Sequence, residues 1–135
     1  MSNMIRLNDT APNDQWIVMS NQGTDCFLDL LLTASRGMRK TEHQKKLICF
    51  LKDQKAINDI APGTAGFDLD EMPWREESLR EDTGFLLHVA EEAESQDVFQ
   101  KLPYEADRET VLPWLRQFGV LVRMMSACSK RSVGV

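Results

Sequence analysis

Seven apolar residues near the end of the chain recur at steps of one, three and four positions, and this spacing is the strongest constraint on the fold. Residues at such steps lie on one face of an α-helix. The repeat predicts a helix from about Thr110 to Ala127, with Pro113 in its first turn, where proline is tolerated. The seven residues are Val111, Leu112, Leu115, Phe118, Leu121, Val122 and Met125.

Start and stop signals predict two helices upstream. From Thr24 the first helix is predicted, because a largely apolar stretch from Asp25 to Leu32 leads to Gly37, a residue type that commonly ends a helix. Thr41 and Gln44 have the spacing of a capping box, in which each side chain bonds the other residue's backbone N–H. They predict the start of a second helix, whose apolar face contains Leu47, Ile48, Phe50, Leu51 and Ala56.

The middle of the chain is divided by residues 61–66, where one proline and two glycines predict a surface loop. Residues 67–74 first alternate apolar and acidic side chains and then reach Pro73, which favours an extended or turn-like segment. Residues 76–94 predict another helix, with a break at Gly84 as an alternative in which Asp82 or Thr83 caps the second half.

The expected fold is mainly α, an irregular helical bundle, because leucine outnumbers isoleucine and valine by 15 to 5 and 8. An α+β fold is the alternative, with a small β element formed from Trp16–Met19 and Phe67–Leu69. The length of 135 residues predicts one globular domain. Within it, residues 1–22 stay undecided, since residues 15–19 fit a strand or a helical turn, and residues 129–135 are expected to fray.

Targeting and redox signals point to the cytoplasm. No apolar run approaches the roughly 20 residues that a membrane helix needs, and the first residues lack the pattern of a secretory signal. Cys26, Cys49 and Cys128 are widely spaced among apolar or small neighbours, so we expect buried thiols and no disulfide. No nucleotide-binding or hydrolase motif occurs, and no cofactor is expected.

Charge is distributed unevenly along the chain, whose net charge is −5. Residues 68–97, called here the acidic region, contain eleven acidic residues against Arg75 and Arg80, while the remaining residues are net positive. A negative field of this kind accelerates encounter with a basic partner and repels nucleic acid. We therefore expect a basic protein partner, and neither nucleic acid nor a membrane.

The first part of the acidic region, residues 68–77, is called here the acidic strip. Its candidate partner-binding residues are Asp68, Asp70, Glu71, Trp74, Glu76 and Glu77. Large apolar residues ringed by charge are typical of interface centres, so Trp74, Phe67 and Met72 are candidate anchors. A solvated face that only keeps the domain soluble, and a core position for Trp74, are the competing interpretations.

Few residues suit catalysis, and no enzyme activity is expected. His88 is three and four positions from Glu91 and Glu92, which places the three on one helical face, as metal ligands or as a simple ion pair. The run Asp68-Leu69-Asp70-Glu71 offers paired carboxylates, but a functional pair must converge in space, and adjacent residues on an extended chain point apart. A small enzyme using His88 and nearby carboxylates remains one alternative. A homo-oligomeric scaffold that pairs Leu112, Leu115 and Phe118 between chains is the other.

Four segments of the chain carry a family resemblance: residues 66–74, the helix around Phe85 to Ala93, Leu102-Pro103-Tyr104 and the helix from Leu112 to Val122. Together they resemble the immunity proteins encoded beside bacterial polymorphic toxins. The resemblance covers about half of the chain. It implies a small, acidic, cytoplasmic single domain without catalysis that binds and blocks a cognate toxin domain. It assigns no binding residue and leaves the toxin unknown. The sequence leaves the oligomeric state open, and its residues predict neither a metal nor a cofactor.

Overall fold

Helices dominate the computed structural model, which describes the backbone of residues 2–133 and the side chains up to residue 127. This part of the chain contains five α-helices and three short strands, so the expectation of a mainly α fold with a small β element is confirmed. The helices are α1 Asn21–Arg36, α2 Glu42–Ile60, α3 Leu79–Ala93, α4 Gln96–Gln100 and α5 Arg108–Val133. The strands are β1 Ser2–Arg6, β2 Ile17–Ser20 and β3 Phe67–Asp68.

The sheet has the order β2-β1-β3, with β1 in the middle. Ile5 of β1 pairs with Ile17 in the antiparallel direction and with Phe67 in the parallel direction. The two predicted β segments are therefore confirmed in place, but they do not pair with each other. The sequence gives no clear sign of β1. Its two inward positions are Asn3 and Ile5, and because Asn3 is polar although buried, the alternation of apolar and polar residues typical of a strand is obscured.

Helix α1 begins three residues before the predicted Thr24, because Ser20 supplies the cap: its Oγ accepts a hydrogen bond of 3.0 Å from the backbone N of Gly23. The capping box that opens α2 is confirmed, with bonds of 3.1 Å to Thr41 Oγ1 and 2.9 Å to Gln44 Oε1. Within α2, Ala56 and Cys49 are exposed, so the predictions that place them on the buried face are wrong.

Helix α3 is continuous, so the predicted helix is confirmed from residue 79 and the alternative with a break at Gly84 is wrong. A glycine inside a helix costs only about 1 kcal/mol relative to alanine, which is less than the burial of Leu86 and Val89 contributes. Asp82 and Thr83 are buried within the helix and cap nothing. A short 3₁₀ turn, Glu76–Ser78, precedes α3. Helix α4 follows it and was not expected.

The predicted helix from Thr110 to Ala127 is confirmed and extends further at both ends. Because α5 begins at Arg108, Pro113 lies in its second turn rather than in the first. Residues 129–133, expected to fray, continue the helix, and residues 134–135 lie outside the described residues. No helix within residues 2–133 has both the length and the apolar composition to cross a membrane.

One hydrophobic cluster contains residues from all five helices and all three strands. At its centre the rings of Phe27 and Phe118 meet edge to face, with 5.5 Å between their centroids. Leu115 and Phe118, which the scaffold alternative pairs between chains, are 1% and 0% exposed. Their burial within one chain removes the apolar face on which that alternative depends. Leu112 is half-buried against the same cluster.

Candidate functional site

The acidic strip begins with a carboxylate held by an arginine. Asp68, in β3, accepts hydrogen bonds from Nε of Arg6 at 2.7 Å and from Nη2 at 3.0 Å, a paired geometry that orients both side chains. The backbone N of Asp68 in turn donates to the carboxylate of Glu71 at 2.8 Å. These bonds fix the 3₁₀ turn Leu69–Glu71, so the strip has a defined conformation rather than that of a loose loop.

Asp70 is exposed at the tip of this turn, with three other carboxylates near it. Partial burial raises the pKa of Asp70 above its usual 3.8, and the charges of Asp68, Glu71 and Asp9 raise it further, whereas Arg6 lowers it. Asp9 lies in the loop after β1, far from the strip in sequence, and the fold brings it close to Asp70. The repulsion among these carboxylates favours a cation at this surface.

The aromatic and apolar residues of the strip face inwards. Phe67 and Met72 are 5% and 4% exposed, so they belong to the core and do not serve as interface anchors. Phe67 packs edge to face against Phe50 of α2, with 5.0 Å between the ring centroids. Trp74 is half-buried against the core, and its Nε1 donates to the backbone oxygen of Leu69 at 2.7 Å. Trp74 therefore packs between the strip and the core and helps to hold the strip in place.

Glu76 and Glu77 are exposed on the 3₁₀ turn before α3. The neighbouring Arg75 does not neutralise them, because its guanidinium is directed towards Asp82, with Nη2 at 2.7 Å from Oδ1. The backbone N of Arg75 also donates to Asp82, at 3.0 Å. These contacts explain why an arginine in the middle of the strip leaves its carboxylates open.

Asp82, a predicted cap in the alternative with a broken helix, lies instead inside α3 with a side chain that is 0% exposed. Arg75 bonds both of its oxygens, and Nε2 of His43, at the start of α2, lies 3.2 Å from Oδ2 without making a hydrogen bond. A charge buried in this way needs such partners. No local pattern in the sequence marks the cluster, because its three members come from separate segments.

Two basic residues of α5 pair with acidic residues at the far end of the acidic region, where Glu92 and Asp97 stay exposed. Arg116 of α5 lies 3.1 Å from Glu94, and Arg123 lies 3.5 Å from Glu91, so the two packed helices α3 and α5 are also linked by charge. Among residues 2–127, no basic side chain lies within 4.0 Å of the carboxylates of the strip's four exposed acids. These are Asp70, Glu71, Glu76 and Glu77. The negative charge of the strip therefore faces solvent without a paired basic side chain.

The residues considered for catalysis do not come together. His88 is exposed on α3, and in the described part of the chain it makes no hydrogen bond or ion pair with Glu91 or Glu92. The carboxylates of Asp68 and Asp70 do not converge, because Asp68 is directed to Arg6. Burial raises the pKa of the Cys26 thiol, which disfavours the reactive thiolate. The side chain of Cys128 lies outside the described residues.

No protein-family model matches this chain, and no curated protein or solved structure matches it either. Its function is therefore inferred from its own residues.

Proposed function

We propose that this chain is a small cytoplasmic binding protein that neutralises a basic protein partner, as an immunity protein neutralises a toxin domain. The observation that supports this most directly is the state of the exposed strip carboxylates. Asp70, Glu71, Glu76 and Glu77 are all exposed, and no described basic side chain pairs with them. A surface whose only task was solubility would gain nothing from leaving this charge concentrated on one segment.

Electrostatics explain how the strip would act. Fixed negative charge steers a basic partner and raises the rate of association, over a distance of about 8–10 Å at physiological salt. A toxin domain that cuts nucleic acid needs a basic groove for phosphates. Carboxylates presented in that groove occupy the positions of the phosphates and block the substrate. The strip would therefore inhibit by competition, without chemistry of its own.

The rigidity of the strip favours tight binding. Arg6 holds Asp68, Glu71 caps the turn, and Trp74 anchors the chain beneath it. A surface that is already ordered loses little conformational entropy when it binds, so more of the contact energy appears as affinity. The enzyme alternative has no comparable support, since the described residues give His88 no partner.

Capture of the partner tests the proposal. The tagged chain is used to capture proteins from an extract of its own host, and the captured protein is identified by mass spectrometry. We expect one basic protein, bound in a fixed ratio and released by raised salt. The captured protein, expressed alone, should arrest growth of the host, and co-expression of this chain should restore it.

A matched pair of variants makes the test specific. Asp70→Lys with Glu71→Lys reverses two charges on the strip, whereas Glu92→Lys with Asp97→Lys makes the same change in net charge at exposed positions outside it. The strip variant should lose capture and growth rescue, and the second variant should keep both. If both variants keep capture and growth rescue, or if both variants lose them equally, the strip is not the binding surface.

A further inference from the structure

A cleft of about 490 Å³ opens on another part of the molecule, between the start of α1, Lys55 of α2, residues 104–107 and the start of α5. Its volume lies in the range of about 300–1,000 Å³ that ligand sites occupy. None of the residues that line it belongs to the acidic strip. Its lining is partly apolar and partly acidic, a combination that suits a side chain with an apolar stem and a positive end.

One wall of the cleft is aromatic. The indole of Trp114 lies against the first turn of α1, where a Cβ at Gly23 would be only 2.6 Å from Cη2 of the ring. Glycine at position 23 is therefore required for this placement. Tyr104 also lines the cleft, and its Oη donates to Oδ2 of Asp29 at 2.6 Å, which ties residues 104–107 to α1.

Four carboxylates and one ammonium group line the cleft, namely Asp25, Asp29, Glu105, Asp107 and Lys55. The ammonium is already paired, because Nζ of Lys55 lies 3.0 Å from Oδ1 of Asp29 and 3.7 Å from Oδ1 of Asp25. Neither Oδ2 of Asp25 nor the carboxylate of Glu105 accepts a hydrogen bond from a described residue. Acceptors for a cation thus remain free.

An anion would fit poorly in the same place, although two helices begin there. At the start of α1 the backbone N of Gly23 is already bonded to Ser20 Oγ. At the start of α5 the carboxylate of Asp107 occupies the position that an anion would take, and it accepts a bond of 2.6 Å from Thr110 Oγ1. Local charge therefore selects a cation.

We infer that this cleft receives an arginine side chain of the basic partner, an inference that rests on the proposed function and adds a second contact to it. The planar guanidinium stacks on Trp114, as arginine does on indole rings. Its N–H groups reach Asp25 and Glu105, while its aliphatic stem lies along Val111 and Ala106. Lysine fits less well, because its compact ammonium does not stack and holds its water more strongly.

A titration of the full chain with N-acetyl-arginine amide tests the inference without the partner, and N-acetyl-citrulline amide serves as the neutral isostere. Two-dimensional ¹⁵N NMR spectra should show saturable shifts for residues 22–26, 105–111 and the Trp114 indole with the arginine compound only. Glu105→Gln should weaken this binding about two- to fivefold, the effect of one exposed ion pair. Glu109→Gln, an exposed residue that does not line the cleft, should leave it unchanged.

Each outcome decides the inference. Equal shifts with both compounds, shifts that do not saturate, or equal weakening by the two variants would overturn it. Because the probe needs no partner, failure to capture a basic protein from the host would refute the proposed function, while a failed titration alongside successful capture would refute only the arginine site.

Discussion

At the scale of single residues, two buried polar groups connect segments that are distant in sequence. Asp82 joins α3 to Arg75 and to His43 of α2. Asn3 of β1 donates from Nδ2 to Thr24 Oγ1 at 2.8 Å and to Asn58 Oδ1 at 3.0 Å, which ties the sheet to α1 and α2. Asn3 Oδ1 and His43 Nε2 are buried without a hydrogen bond to the described residues, so both clusters are only partly satisfied. The bonds that do form fix how the neighbouring elements pack.

The Asp82 cluster gives a stability prediction. Asp82→Asn keeps the size of the side chain but removes the charge that pairs with the Arg75 guanidinium at 2.7 Å. Because Arg75 is 30% exposed and can be hydrated, we expect the free energy of unfolding to fall by about 1–2 kcal/mol, as when a hydrogen-bonded partner of a buried group is weakened. Urea denaturation measures this.

Glu81→Gln is the control, because Glu81 is 61% exposed and lies 4.0 Å from Arg75. Its effect should stay within about 0.5 kcal/mol. If the two variants lower the free energy of unfolding equally, the ion pair between Asp82 and Arg75 does not stabilise the fold.

Tyr104 gives a pH prediction. Burial, reinforced by the hydrogen bond to Asp29 and its charge, raises the pKa of the phenol above its usual 10.0. Folding therefore favours the protonated phenol, so this contribution to stability is present below about pH 10 and is lost as the pH rises through the folded pKa. Tyr104 is the only tyrosine, and absorbance at 295 nm reports its ionisation directly.

Asp29→Asn should move this titration to lower pH, because it removes the carboxylate that faces the phenol. Glu105→Gln changes a neighbouring charge without touching the bond and should leave the titration in place. A native phenol that ionises with the usual pKa would contradict the Tyr104–Asp29 contact.

At the scale of elements, local signals predict helices well wherever they act through neighbouring residues. The Thr41 capping box and the repeat that ends near Met125 both operate within a few turns, and both predictions are confirmed. Gly84 misled the interpretation because tertiary packing overrides a weak local preference. Strand β1 was missed because its pairing partners, β2 and β3, lie 11 and 61 residues or more beyond its end. No local pattern contains that information.

The continuity of α3 predicts that Gly84→Ala is stabilising. Gly84 has no positive φ, and a Cβ there would meet nothing within 4 Å. Alanine restricts the unfolded chain and favours the helix, so we expect a gain of about 0.5–1 kcal/mol in the free energy of unfolding.

Gly66→Ala is the contrasting variant, since Gly66 has φ of 136° and its Cβ would lie 2.7 Å from the backbone oxygen of Met4. This variant should be clearly destabilised. Thermal unfolding followed by circular dichroism compares the two, and a loss of stability in Gly84→Ala would argue against an uninterrupted α3.

At the scale of the whole molecule, folding divides the acidic region into two parts. At its far end Arg116 and Arg123 of α5 pair with Glu94 and Glu91, whereas the four exposed acids of the strip have no basic partner among the described residues. The sequence shows the total charge but not this division, because ion pairs depend on which helices pack together. For the same reason Asp70, Glu71, Glu76 and Glu77 were found as surface acids, whereas the support from Arg6 and the nearby Asp9 was not.

The rate of association with the captured basic partner is the most direct test of the open strip. Stopped-flow measurements at several salt concentrations compare the unmodified chain with the two charge-reversal pairs. For Asp70→Lys with Glu71→Lys we expect association at low salt to slow by at least about tenfold, with a weaker dependence on salt. Because Glu71→Lys also removes the bond to the backbone N of Asp68, the free energy of unfolding should fall by about 1 kcal/mol. Glu92→Lys with Asp97→Lys should slow it much less. Equal rates for the two reversed pairs would contradict a role for the strip in recognition.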